Sequence, residues 1–170
     1  MEWGTPLHGD DALFERLSLE AFQSGLSWIT ILRKREAFRA AFAGFVIEKV
    51  ALFTEDDETR LMADAGIVRN RAKVEAAIAN ARALLALQAQ GGSLAGLLWA
   101  TRPEPDPPPP RAAADVPPWT PASRELAREL KRRGFRFLGP TTVYAALQAC
   151  GIVNDHLAGC PARPVVEALR

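Results

Sequence analysis

Tyrosine occurs once in these 170 residues, cysteine and methionine twice each, and stretches in which Val, Ile or Thr alternate with polar residues are close to absent. Each scarcity excludes something. Without a two-residue alternation a half-buried β-sheet has no basis, so helical periodicity is the organising pattern and the chain reads as all-α. Cys150 and Cys160 are too few for a disulfide framework, and with no signal peptide or targeting signature the expected setting is a reducing cytoplasm. No apolar run approaches the roughly 20 residues that cross a bilayer, which excludes a membrane span. Neither sign of charge is in excess: 21 Lys and Arg stand against 20 Asp and Glu, a net charge of +1. Any charged partner must therefore be met by a local group of residues. A Ser/His/Asp set, a phosphate-loop glycine pattern and a dinucleotide fingerprint are missing too.

What is present is a globular balance, 48% hydrophobic and 24% charged, in a length that suits one domain with a core. Asp10 and Asp11 are placed to cap a first helix whose stripe is Leu13, Phe14, Leu17 and Ala21, ending near Gly25. A second helix is predicted from about Ile29 to Phe42. Thr54 opens a short one with an acidic first turn, Glu55 to Glu58, where the helix dipole favours negative charge. Residues 61–74 read as a helix, a Gly66-bearing turn and a second helix that runs to about Ala89 before Gly91-Gly92. From Arg102 to Pro121 the composition shifts, with Pro107 to Pro110 consecutive, and an extended surface loop is expected. Neither flank looks large enough to bury a core alone, so 1–170 is read as a single helical domain with the 102–121 loop inside it. Thr120-Pro121 then begins a basic helix to about Arg133, and Gly139-Pro140 a last, apolar helix to Cys150.

Three features could carry chemistry. Basic residues gather at Arg33-Lys34-Arg35, at Arg69, Arg71 and Lys73 after Gly66, and between Arg124 and Arg136, where six basic residues face two acidic ones. Such groups suit solvated helix faces. At the hairpin a second reading is open, because a glycine turn that brings backbone amides and basic side chains to one place can hold a DNA phosphate without reading sequence. Glu20 lies three residues from Leu17 and seven from Leu13, close to the direction of the apolar stripe. Either it reaches back to Arg16 at i, i+4, or it is a buried carboxylate kept for use. Trp28 reads as a core aromatic or a stacking platform. His156 and Cys160, four apart, form half of a metal site, with only His8 and Cys150 as further soft donors.

Five blocks in order resolve these alternatives: Glu2-Trp3-Gly4; Leu19 to Thr30 (LEAFQSGLSWIT); Ala65 to Lys73 (AGIVRNRAK); Lys131 to Thr142 (KRRGFRFLGPTT); and Gln148 to His156 (QACGIVNDH). Together they closely resemble the DNA-3-methyladenine glycosylase I family, helix-hairpin-helix enzymes that remove 3-methyladenine from alkylated DNA. The resemblance implies a monomeric, monofunctional glycosylase acting on alkylated double-stranded DNA, with Glu20 as the catalytic, base-recognising carboxylate and Trp28 in the base pocket. It implies further that Gly25-Leu26-Ser27 fill or pry the base stack, and that Gly66, Arg69, Arg71 and Lys73 belong to the phosphate-gripping hairpin. The catalytic Asp that many superfamily relatives carry after the hairpin is lacking in this family, and Glu75 is no substitute here. Lys73 matches a hairpin position, so base removal without strand cleavage is expected. No cofactor is needed for catalysis.

The family also holds a structural zinc, and His156 and Cys160 match two of its ligands. The other two precede Glu-Trp-Gly in the family, whereas this sequence opens at Met1-Glu2-Trp3-Gly4. The expectation is a shortened or altered chain with an incomplete zinc site and C-terminal ten residues that are loosely held. The rival is a non-catalytic DNA-binding module that keeps the hairpin but has lost excision with its N-terminal segment.

Overall fold

The computed structural model describes residues 2–170, and among them it contains α-helices and short 3-10 turns but no strand. The helices are α1 (Asp10–Gln23), α2 (Trp28–Ala41), α3 (Ile47–Ala51), α4 (Glu55–Ala63), α5 (Arg71–Ala89), α6 (Leu94–Trp99), α7 (Pro121–Arg132), α8 (Pro140–Ala149) and α9 (Ala162–Leu169). No helix is long and apolar enough to cross a membrane among the described residues. Met1, which precedes the first sequence block, lies outside them.

The apolar stripes converge on one core to which both sides of the proline segment contribute: Leu13, Phe22, Phe38 and Leu84 from before it, Leu130, Tyr144 and Leu147 from after it. Five phenylalanines, Phe14, Phe22, Phe38, Phe42 and Phe45, are fully buried there, and Phe42 stacks on Phe45 with centroids 5.3 Å apart. Burying five such rings is a large share of what holds so small a chain together. Helix α5 runs through this core on Val74, Ala77, Ile78, Ala81 and Leu84, and α8 packs against α1.

At two helix starts the local pattern and the bonds it implies are both present. Thr54 and Asp57 form a reciprocal capping box at the head of α4, and Thr120 with Ser123 does the same for α7 behind its N1 proline. Asp10 and Asp11 differ from the expectation. The N-cap of α1 is Gly9, and the two carboxylates instead serve the first turns of other helices, Asp10 accepting from the Ala95 amide (2.9 Å) and Asp11 from that of Ile47 (3.1 Å). They satisfy helix-start amides, but of α6 and α3.

The C-terminal segment is also a correction. It is docked, not loose: α9 buries Ala162 and Val166, and the Arg170 guanidinium, fully buried, pairs with Asp106 at 2.9 Å and donates to the Ile152 carbonyl at 2.8 Å. Pro161 and Pro164 look like helix breakers in the sequence. They fall at the N-cap and in the first turn, where proline costs no helix hydrogen bond. The proline segment itself runs without helix from 103 to 119 apart from a 3-10 turn at Ala113–Asp115, and the Pro110 carbonyl accepts from the Ala158 amide, so loop and tail hold each other.

Candidate active site and DNA-anchoring hairpin

Glu20 points inward from the last full turn of α1 and is 2% exposed, with its Oε1 buried and without a hydrogen-bond partner. The pairing with Arg16 that its spacing allows does not form. Arg16, itself buried, turns to Glu2 instead (2.9 Å), and Glu2 is held further by Arg35 at 2.7 Å. Those two guanidiniums keep Glu2 below the usual carboxylate range, the Arg35 hydrogen bond most of all. For Glu20 the balance is reversed: burial pushes its carboxyl up to about 7, and the charge of Arg16 offsets only part of that. Cys150, at the end of α8, lies within the field of both groups, and burial pushes its thiol up to about 12, so it is an inert packing residue.

Immediately after α1 the chain turns through Gly25, whose φ of +82° is a conformation that favours glycine, and presents Leu26 at 40% exposure with Ser27 beside it. The turn is pinned by its own bonds, Leu26 N–H to the Gln23 carbonyl and Gln23 Nε2 to the Leu26 carbonyl, both 2.6 Å. Trp28 follows as the first residue of α2, half-buried against the core edge. One short stretch therefore carries a buried carboxylate, an exposed apolar tip and an aromatic face.

The hairpin is α4, the turn 64–70 and α5. Gly66 is needed for packing: a Cβ there would meet Ala37 of α2 at 3.0 Å and Asp64 Oδ1 at 2.9 Å. Its N–H donates to Asp64 Oδ1 at 2.7 Å, within the turn itself. Lys34, which sequence reasoning left among the solvated groups, donates to the Ala65 and Gly66 carbonyls (2.8 and 3.1 Å) and clamps the turn to α2. Arg69 and Arg71 are exposed beside the start of α5, Arg71 lying 3.8 Å from Glu58. Lys73 is a correction. It is only 7% exposed, and its ammonium donates to the Phe22 and Ser24 carbonyls at 3.0 and 2.6 Å, so it faces the end of α1 and not the outside of the hairpin.

The basic face of α7 is mostly self-neutralised, with Arg128, Arg132 and Arg133 paired to Glu125 and Glu129, and Arg124 lying 3.7 Å over the Trp119 ring. An open groove of about 730 Å³ beside it, lined by Arg124, Lys131, Phe137 and Pro140, does not include Glu20. A lone buried carboxylate needs an explanation that an open surface groove does not.

At the other end of the sequence, His156 Nδ1 lies 3.6 Å from Cys160 Sγ. Two donors at about 2.1 and 2.3 Å from one tetrahedral ion would be separated by about that much, so the pair fits half of a zinc site. The other half is not found among the described residues, where no group of three or more His, Cys, Asp or Glu side chains could hold a metal. His8 is stacked on Trp99 at 4.5 Å and Cys150 is in the core. His156 instead has Trp3 edge-on at 4.7 Å and its Nε2 buried against Gly4 without a partner.

An all-helical core, a hairpin with an exposed basic turn and a buried carboxylate eight residues ahead of a half-buried tryptophan define a helix-hairpin-helix DNA glycosylase. A family model for methyladenine glycosylases matches residues 1–163, and the chain belongs to that family. It is 44% identical over 164 residues to DNA-3-methyladenine glycosylase 1 of Escherichia coli strain K12, covering 96% of this chain and 88% of the relative. It superposes on a crystal structure of 3-methyladenine DNA glycosylase I with a TM-score of 0.91 at 45% identity, over 96% of this chain and 90% of the other. A variant of 3-methyladenine DNA glycosylase I in complex with 3-methyladenine gives 0.90 at 40% identity, over 95% and 88%.

Proposed function

We propose that this protein is a monofunctional glycosylase that hydrolyses the N-glycosidic bond of 3-methyladenine in alkylated double-stranded DNA, acting as a monomer in a reducing cytoplasm. The observation that carries the site assignment is the Glu20 carboxylate, buried with Oε1 unpartnered, whose burial cost Arg16 offsets only in part and a cationic ligand would relieve. Methylation at N3 makes the purine cationic and its bond to C1′ weak. When that bond breaks, its electron pair returns to the base, which leaves neutral. Water then adds to C1′ and loses a proton. No general acid is required for the leaving group.

In this reading the flipped base enters between the Trp28 face and Glu20, a cation against a π-face and a carboxylate, while Leu26 occupies the gap in the stack. Because Glu20 is nearly closed to water, the entering base displaces what covers it, and the low dielectric then strengthens the attraction. The carboxyl must be ionised to serve, so kcat/KM for release of 3-methyladenine from methylated duplex is expected to rise as pH increases through about 7. A profile flat from pH 5.5 to 8.5, or duplex binding with no free base released, would remove Glu20 from this role or the activity itself.

The same reading covers metal. His156 and Cys160 supply two donors and a closed structural site takes four, so this 170-residue chain is expected to bind less than one tightly held zinc per molecule. Elemental analysis of protein purified without chelator checks this. One zinc per chain, lost together with thermal stability on Cys160→Ser, would show that the site is completed by other donors.

A further inference from the structure

Lys73 is a buried cation that the excision chemistry leaves unused. It sits third in α5, within four residues of both hairpin arginines, and its own N–H is taken by the N-cap side chain of Asn70 at 3.2 Å. Its side chain leaves the hairpin altogether. The ammonium lies on the Phe22 and Ser24 carbonyls at the C-terminal end of α1, where a helix concentrates unsatisfied acceptors and partial negative charge. Ser24 in turn donates its N–H to the carbonyl of Glu20 at 3.2 Å and is followed directly by the Gly25-Leu26-Ser27 turn. One side chain thus spans from the element that anchors DNA to the backbone that carries the carboxylate and the stack-filling tip.

We infer that Lys73 is a positioning residue that fixes the register between the DNA-anchoring hairpin and the base pocket, so that phosphate held at the hairpin sets where Leu26 and Glu20 meet the flipped nucleotide. This rests on the base-excision reading above. A surface lysine would be a poor device for this, since its long side chain loses much entropy when held, whereas a buried ammonium with two carbonyl acceptors is fixed in direction. Burial pulls its pKa below that of an ordinary lysine, in keeping with a group closed off from water.

Lys73→Met keeps the stem and removes the donor, and Lys73→Arg keeps the charge. In Lys73→Met, affinity for undamaged duplex and its salt slope are expected to stay at the wild-type values, because no phosphate contact is lost. Single-turnover release of 3-methyladenine is expected to fall roughly ten- to hundredfold, the scale on which small misplacements act, with partial recovery in Lys73→Arg. Weaker binding to undamaged duplex with a salt slope lowered by about one would instead make Lys73 a phosphate contact. A lowered Tm with unchanged release would make it a helix cap only. Hydrogen exchange at Ser24 to Ser27 gives a readout that needs no turnover: adding undamaged duplex is expected to slow it in the wild type and not in Lys73→Met. Equal slowing in both overturns the coupling, and if Lys73→Met does not fold, Lys73→Gln takes its place in every arm. A wild type that releases no base while showing that exchange response would sink the excision reading and leave the coupling standing.

Discussion

Glu20→Gln is expected to lose base release by roughly a hundredfold or more while becoming the more stable protein at alkaline pH, two effects of one buried charge. The amide keeps shape and volume but cannot complement a cationic purine. The stability change has a definite sign. A carboxyl raised from 4.5 to about 7 by burial favours the protonated form in the fold, so wild-type stability is fully present below about pH 4.5 and is lost as pH rises through 7. At pH 8 the loss is about 3 kcal/mol, since Glu20 is buried and solvent does not screen it. Glu20→Gln is free of that loss, less whatever its own unpaired amide costs. Chemical denaturation from pH 4.5 to 8.5 checks it: the two proteins should converge near pH 4.5, separate as pH rises to about 7 and differ by a constant amount of up to a few kcal/mol beyond it. Parallel curves would mean that the carboxylate is better solvated than its burial implies. A stable Glu20→Gln with wild-type single-turnover rates would remove Glu20 from the chemistry.

Why so much of this was legible in the sequence, and why some was not, follows from the range of the forces involved. Helix starts at Thr54 and Thr120 and the stop at Gly91 are set by bonds within four residues, and they appear in the chain as local patterns. Glu20 could be singled out because helical pitch alone brings it near the Leu13 and Leu17 face. Its ordinary explanation, a pair with Arg16, could not be dismissed from spacing, because the competitor is Glu2, 14 residues away. Asp10 and Asp11 failed as caps for the same reason, their partners being 85 and 36 residues distant. Helices α3 and α6 have five and six residues, too few for a period to show. Lys73 was read by its neighbours in sequence, Arg69 and Arg71, when its direction on α5 turns it to the opposite side. Lys34 was missed because nothing in Arg33-Lys34-Arg35 indicates that the middle residue meets the carbonyls of a turn 31 and 32 residues on.

The correction at Lys73 sharpens what the hairpin must do with the side chains that remain. Its exposed cations are Arg69 and Arg71, and its turn is locked to α2 by Lys34 and the close approach of Gly66. This is a rigid anchor for one stretch of backbone, and phosphate contacts carry position without sequence. Arg69→Ala with Arg71→Ala is therefore expected to weaken binding to damaged and undamaged duplex alike, by roughly ten- to thirtyfold at low salt, at about 1 kcal/mol for each exposed contact. The slope of log affinity against log salt should fall by about two, one for each released counterion contact. Because the Arg71 pair with Glu58 is long and exposed, its loss should leave thermal stability within about 0.5 kcal/mol of the wild type. Single-turnover release at saturating enzyme should be largely retained, since Glu20, Trp28 and the Lys73 bonds are untouched. A defect confined to methylated duplex, with undamaged binding and the salt slope unchanged, would place these arginines at the extruded nucleotide and move the anchor elsewhere on the surface.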